Sequence, residues 1–544
     1  MRDDVWKLAG LWLVVITAGV IAGAGCQPRE TNVEQGIRTQ TLHRGMGPSL
    51  GDLDPHLATG TTDYNVLSAL FEGLVGEDPI DLSPVPGVAE SWNVSDDGDV
   101  YTFQLRADAR WSNGDPITAP DFVASWQRAL TPALAADYAN LLYVIAGAEA
   151  FHRGAAHDFS SVGARALDEL TLQITLEYPA GNFLSMLQHW IFYPVHLASI
   201  KAVGDPMSRN TPWARPGSMV SNGPFTLSEW RIGERIIVTK NLRYWDAETV
   251  RLESIHFHPF EGVDTEERAF RAGQLHVTDA LPIAKIATYR RDNPESLRID
   301  PYLGTYFFRI NTRSEFLGNP DVRRALNFAT DRVALVNQVL RGGQIPSAAF
   351  TPAGTDSYLP PNGLVTDFDA AREALSTAGY PGGSDAPPVE ILFNTSENHR
   401  TVAEAIQQMW SRELGLEVML RNMENKTVLS SRRAGEFEVL RSVWIADYQD
   451  PASFLDIWHS ASGNNYTGWS NSDYDRLIHD AKRTPNRADR HALLRQAESL
   501  LLREAPVIPI FTFTHVFAIR PEVRGWHPTL LDHHPYKHVW LESP

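Results

Sequence analysis

One thiol, 18 imidazoles and 66 carboxylates set against 48 lysines and arginines are the chemically capable side chains of this 544-residue chain. The thiol is Cys26, and without a second cysteine there can be no intramolecular disulfide and no thiolate metal site. His256 and His258 fall on one face of a strand-like run, a spacing that can chelate, yet no third ligand follows them at a recognisable distance. His533, His534 and His538 cluster near the C-terminus, but His534 and His538 meet only on a helix, and Pro535 biases His534 away from helical geometry. These histidines read as structural or surface groups, and no metal is expected. Asp96-Asp97-Gly98-Asp99 superficially suggests a calcium loop but lacks the glutamate that such a loop requires. No phosphate-cradling glycine loop, HExxH or G-x-S-x-G elbow occurs. A glycosidase needs only two facing carboxylates, which spacing cannot exclude, but no hydrolase motif supports one. The chain is expected to be neither an enzyme nor a holder of a cofactor.

The elements that must position these groups begin with an export segment. Leu8 to Gly25 is an uncharged apolar run of 18 residues, preceded by Arg2 and Lys7 and closed by Gly23-Ala24-Gly25. That is a basic start, an apolar core and a small-residue cleavage site. Its length also just suffices to span a bilayer, so an uncleaved anchor is the alternative. Beyond Gly25 no second long apolar run occurs. Residues 26–40 are polar and without periodicity and read as a flexible tether, with structure beginning near Thr41. The remaining chain is long enough for two or three domains, and 43% apolar residues can fill their cores. Loss of residues 1–25 removes two charges of each sign, leaving the net charge at −18, which argues against nucleic acid and against electrostatic attachment to a membrane.

Tyr101 to Arg106 alternates as a half-buried strand, after turn residues 96–99. Thr118 caps a helix with Pro120 in its first turn and Phe122, Val123, Trp126 and Leu130 as its apolar stripe. Val402, Ala405, Ile406, Met409 and Trp410 recur at helical spacing, Gly415 stops that helix, and Leu416, Val418 and Leu420 alternate as a strand. A helix from about Ala488 to Glu504 leads past Pro506 into the strand-like Val507–Thr514. Such helix–strand units predict an α/β fold.

Several stretches are more specific. Pro86-Gly87-Val88-Ala89-Glu90-Ser91-Trp92 is followed by Tyr101 to Arg106, by Ala109-Arg110-Trp111-Ser112-Asn113-Gly114-Asp115-Pro116-Ile117-Thr118 and by Asp121-Phe122. Leu53-Asp54-Pro55-His56, Leu70-Phe71-Glu72-Gly73-Leu74, Ser221-Asn222-Gly223-Pro224-Phe225, Tyr244-Trp245, Arg323-Arg324-Ala325-Leu326, Ala378-Gly379-Tyr380 and Ala446-Asp447-Tyr448 complete the set. Together, over about Thr41 to Glu542, they resemble the extracellular solute-binding proteins of peptide ABC importers, family 5, oligopeptide branch. The small-residue gap before Cys26 resembles the lipobox of bacterial lipoproteins. Gly23, where an aliphatic residue is commoner, and Asp3 and Asp4 in the basic start are departures. The lipobox resemblance implies a signal peptide at 1–25, an acylated Cys26, and a place in the periplasm or on the outer face of the cell membrane.

The family resemblance implies a type II periplasmic binding protein fold, two lobes about a hinge. A discontinuous first lobe would comprise 41–71, 191–303 and 512–544, an inserted α+β domain 72–190, and a second lobe 304–511. It implies a monomer that takes an oligopeptide and delivers it to permease and ATPase subunits. The gripping strand resembles Arg441 to Asp447, with Val443 and Ile445 pairing through main chain, Trp444 covering the peptide and Asp447 facing its α-ammonium. Thr59 and Thr61 occupy the matching strand position on the other lobe, and Tyr138 and Tyr306 match wall positions. Where the family can place an acidic residue this chain has Thr59. Arg432, Arg441 and His399 match positions that meet the peptide carboxylate, and Asn394 lies on the same loop as His399. The same fold can instead take a nickel chelate, haem, an opine or an oligosaccharide, none of which brings an α-ammonium for Asp447.

Overall fold

Two long antiparallel strands tie the molecule together. In the computed structural model, which describes residues 30–543 apart from 48, 49, 51 and 447, they pair over nearly their whole length. Six strands position the site and the connection between its two sides: β1 (Thr41–Gly45), β2 (Ser254–His258), β3 (Leu297–Ile310), β4 (Val389–Asn394), β5 (Val439–Ile445) and β6 (Val507–Ala518). The beginning of β3 pairs with the end of β6, Leu297 opposite Ala518 through Pro301 opposite Thr514. There it packs on Phe270, Leu275 and Tyr289. After a register break between Pro301 and Thr305 the same two strands continue into a second core with Phe308, Ile310, Ile508 and Ile510. Proline cannot donate to a ladder and an irregularity bends a strand, so the ribbon is weakest between its two bodies.

Three sheets carry the fold, and helices cover them. β1 and β2 run parallel, and β2 continues antiparallel into Arg235–Lys240 and Phe225–Arg231. Over that sheet lies a core of Leu42, Leu67, Trp213, Phe257, Phe517 and Tyr536, drawn from three distant stretches of sequence. A six-stranded sheet runs Ile345–Pro346, β6, β3, β5, β4, Val418–Met423. The helix Glu397–Leu414 packs Val402, Ile406 and Trp410 on one of its faces and ends at Gly415, whose φ of +70° suits glycine. Between them in sequence, a four-stranded antiparallel sheet and the helix Ala119–Leu130 enclose Phe103, Trp111, Phe122 and Trp126. Each such fully buried large side chain contributes about 1.5–3 kcal/mol.

The family-like sequence motifs have structural roles here. Arg128, on that helix, is fully buried and grips Asp54 through both nitrogens, Nη1–Oδ1 at 3.0 Å and Nη2–Oδ2 at 2.5 Å, while Trp213 donates to Asp54 at 2.9 Å. Burial opposes ionisation of Asp54, but the guanidinium outweighs it and holds the carboxyl below its usual range. The Glu72 carboxylate accepts from Trp245 at 2.6 Å and from Tyr244, and the Glu72 main chain donates to and accepts from the Asn222 side-chain amide. A β-carbon on Gly223 would lie 2.5 Å from the Leu70 backbone, so only glycine admits this approach.

One expectation fails at the start of the chain. Asn32–Thr39, within the stretch read as a flexible tether, is a helix that buries Val33 and Gly36. Its N-terminus is a capping box in which Thr31 accepts from the Glu34 amide and Glu34 accepts from Thr31. That T-x-x-E signal stands in the sequence, but the helix is too polar for periodicity to show it. Cys26 and the rest of the proposed export segment lie outside the described residues, and among those described no helix is long and apolar enough to cross a membrane.

Candidate functional site

β5 is hydrogen-bonded along one side and largely bare along the other. All seven of its residues pair with β3, from Ile310 opposite Val439 to Gly304 opposite Ile445. On its other side β4 reaches only Val439 and Leu440. From Arg441 to Ile445 no described strand occupies that edge, so every second residue there turns its N–H and C=O outward without a described strand partner. Val443 and Ile445, expected to bind through main chain, are half-buried in this stretch.

Four of the expected site residues assemble at one end of the edge. Arg441 donates from Nη1 to Asn394 Oδ1 at 3.1 Å, and its guanidinium lies 4.8 Å from the centre of the Tyr306 ring. The Tyr306 hydroxyl is 3.4 Å from His399 Nδ1. Burial pushes Tyr306 up to about 12 and, with the neighbouring Arg441, pushes His399 down to about 4, so both are uncharged at neutral pH. Among the described residues no carboxylate lies within ion-pair distance of Arg441. A half-buried cation whose described neighbours are an amide, a phenol ring and a neutral imidazole is suited to an incoming anion.

The other end of the edge opens on a cavity of about 430 Å³ between the bodies of the molecule. Thr59, Tyr138, Ile445 and Ala446 line it, bringing expected residues of both lobes onto one surface. Tyr138 is edge-on to Trp190, with ring centres 5.6 Å apart. Thr59 and Thr61 do not form a strand as expected. Gly60 is the N-cap of the helix Thr61–Leu70, and the Asp63 carboxylate accepts from the amides of Thr59 and Gly60. Asp447 follows Ala446 but lies outside the described residues.

Two expected residues stand elsewhere. Trp444 points away from Arg441 and Val443, as strand alternation requires, and its indole donates to the Ser453 carbonyl at 2.7 Å. It packs beside a core containing Phe307 and Trp458. Arg432 rides on the helix Asn425–Ala434, which packs through Val428 on Leu392 and Leu440, the sheet face opposite Tyr306. Its guanidinium lies 4.5 Å from the Tyr466 ring, beside Arg309. Burial, with Arg432 adding, pushes Arg309 down to about 9. Arg432 therefore does not join the group around Arg441.

The cavity also has walls that spacing did not reveal. His515 donates from Nδ1 to Asp532 at 2.8 Å and from Nε2 to the Asp279 carbonyl at 2.5 Å. Burial opposes its charge, but the Asp532 carboxylate overcomes this and raises His515 to about 9. His534 bonds the same carboxylate, and His533 bonds Glu77 at 2.7 Å while stacking on Tyr64. His515, Asp532 and Asp279 belong to sequence segments hundreds of residues apart or in different turns, and no local pattern marks them.

Residues 83–466 match the family described as bacterial extracellular solute-binding proteins, family 5 Middle. The chain is 34% identical over 527 residues to the periplasmic oligopeptide-binding protein OppA of Escherichia coli, covering 94% of this chain and 95% of that protein. The solved structure of the Escherichia coli murein tripeptide binding protein MppA superposes with a TM-score of 0.78 at 31% identity, covering 93% and 99% of the two chains. Haemophilus influenzae OppA in complex with RPPGFSPFR gives 0.77 at 30% identity over 93% and 99%.

Proposed function

The chain belongs to the bacterial extracellular solute-binding proteins of family 5, with their α/β periplasmic binding protein fold, and on that premise we propose that it captures oligopeptides for an ABC importer. It is a binding protein, not an enzyme, and transport energy comes from separate permease and ATPase subunits. The observation that carries the reading is the open edge of β5 between the Arg441 group and the inter-lobe cavity. An extended peptide added to that edge gains main-chain hydrogen bonds whatever its sequence, and its alternate side chains turn away from the strand. Arg441 to Ile445 spans ~13 Å, room for about four extended residues. The peptide carboxylate faces Arg441, with His399 and Asn394 beside it. The α-ammonium lies toward Asp447, two residues beyond the strand. A sugar or metal chelate has no row of main-chain groups to match such an edge and no α-ammonium for Asp447, which follows it in sequence.

The test pairs Asp447→Asn with acetylation of the peptide N-terminus. Removing one partner of a desolvated charge pair costs about 2–5 kcal/mol. Calorimetry on the four combinations is expected to show a large loss for the free peptide on mutation and little further loss for the acetylated one. Equal binding of free and acetylated peptides by the native protein would overturn the assignment. A single non-peptide compound retained through native purification, seen by mass spectrometry, would overturn peptide capture itself.

Anchoring belongs to the same proposal. Cys26, after Gly23-Ala24-Gly25, is read as the acylated first residue of the mature chain, which holds the binding lobes at the outer face of a membrane. Cys26→Ser is expected to abolish fatty-acid labelling, and persistent labelling would exclude this residue as the anchor.

A further inference from the structure

Three histidines from two distant segments converge on one face of the β1–β2 sheet. The parallel register sets His43 opposite His256 and Gly45 opposite His258, so all three imidazoles project to the same side. His43 Nδ1 and His258 Nε2 are 3.1 Å apart, and the His43 and His256 ring centres are 4.8 Å apart. One ligand atom from each of the three lies within 4.8 Å of the others. The strand-borne pair His256 and His258 lacked a third partner in the sequence, and strand pairing supplies it from more than two hundred residues away, as His43. None of the three lines the inter-lobe cavity.

We propose that His43, His256 and His258 form a binding site for one late first-row divalent cation, of which Zn²⁺ is the type. Zinc takes imidazole nitrogens at about 2.0–2.1 Å and so wants them roughly 3.4 Å apart, a spacing that the His43–His258 pair already approaches and His256 reaches by side-chain rotation. His43 is buried, whereas His256 and His258 are half-exposed, which provides an entry route and leaves the fourth position open to solvent. Arg235 is a cation beside His256, but Glu229 holds it at 2.8 Å and brings a compensating carboxylate. Behind the trio, His276 stacks on His43 and accepts from its amide at 3.0 Å, fixing the strand that carries it. Gly36 of the first helix packs against His276. A cation here would therefore link β1, β2 and the N-terminal helix into one rigid unit.

The experiment uses the whole chain, stripped of metal and dialysed against ZnCl₂, with bound metal counted by mass spectrometry. One equivalent of Zn²⁺ is expected, with Co²⁺ giving the intense ligand-field bands of a tetrahedral site. The double substitution His256→Gln with His258→Gln should weaken binding by at least about 100-fold, the upper range seen even for loss of outer-shell partners. His157→Ala, at an exposed histidine outside the trio, should change nothing. Circular dichroism and unchanged peptide affinity report that the double variant is folded. Less than a stoichiometric ion on the native protein, an octahedral Co²⁺ spectrum, or undiminished binding by the double variant would each overturn the site.

Discussion

Arg441→Gln removes a charge and keeps a hydrogen-bonding side chain within reach of Asn394. In the native protein the guanidinium is half-buried, bonded to Asn394 at 3.1 Å and set over the Tyr306 ring, with no carboxylate among the described residues to offset it. A carboxylate arriving at about 4 Å gains roughly 4 kcal/mol of Coulomb energy at an effective dielectric of 20. Desolvation takes back part of this, so the net loss on mutation should be about 2–3 kcal/mol, or roughly 30- to 150-fold in Kd. Calorimetry with a peptide ending at Arg441 and with the same peptide amidated at its C-terminus separates charge from shape, since the amidated peptide should lose little. The empty protein should scarcely change, because the variant gives up a ring contact of about 0.5–2 kcal/mol and also sheds a half-buried charge that no described carboxylate offsets. Equal losses for carboxylate and amide peptides, or a collapse of the unliganded melting temperature, would refute the assignment of Arg441 to the peptide carboxylate.

Peptide binding should bend the β3–β6 ribbon at the break between Pro301 and Thr305, so the radius of gyration in solution scattering should fall. At ~100 times Kd the melting transition should gain roughly 2.7 kcal/mol, and superimposable scattering curves would count against a hinge. His515 gives a pH signature. Its folded value of about 9 lies above the ordinary 6.5, so its contribution is complete below about 6.5 and is lost as pH rises through 9. The shift corresponds to on the order of 3 kcal/mol. Denaturant unfolding between pH 7 and 9 should therefore fall more steeply for the native protein than for His515→Asn, and parallel slopes would exclude the ion pair with Asp532.

By itself the sequence determined whatever depends on near neighbours. The cap at Thr118, the stop at Gly415 and the alternating burial of Val100–Leu105 are local physics, and each stands where periodicity puts it. Family motifs carried further, because Asp54, Glu72, Asn222 and Trp245 are held by contacts that the fold makes between distant segments. The tertiary structure alone decided which strands lie side by side. Period-two alternation says that His256 and His258 share a face, but only burial across the sheet sets β1 in register beside them and adds His43. The same long-range choice gathers Arg441, Tyr306, His399 and Asn394, sends Arg432 to the far face, and turns Thr59-Gly60-Thr61 into the entry to a helix. The helix Asn32–Thr39 starts at a capping box written in the sequence, but the surface on which Gly36 packs, His276, exists only once the chain has folded.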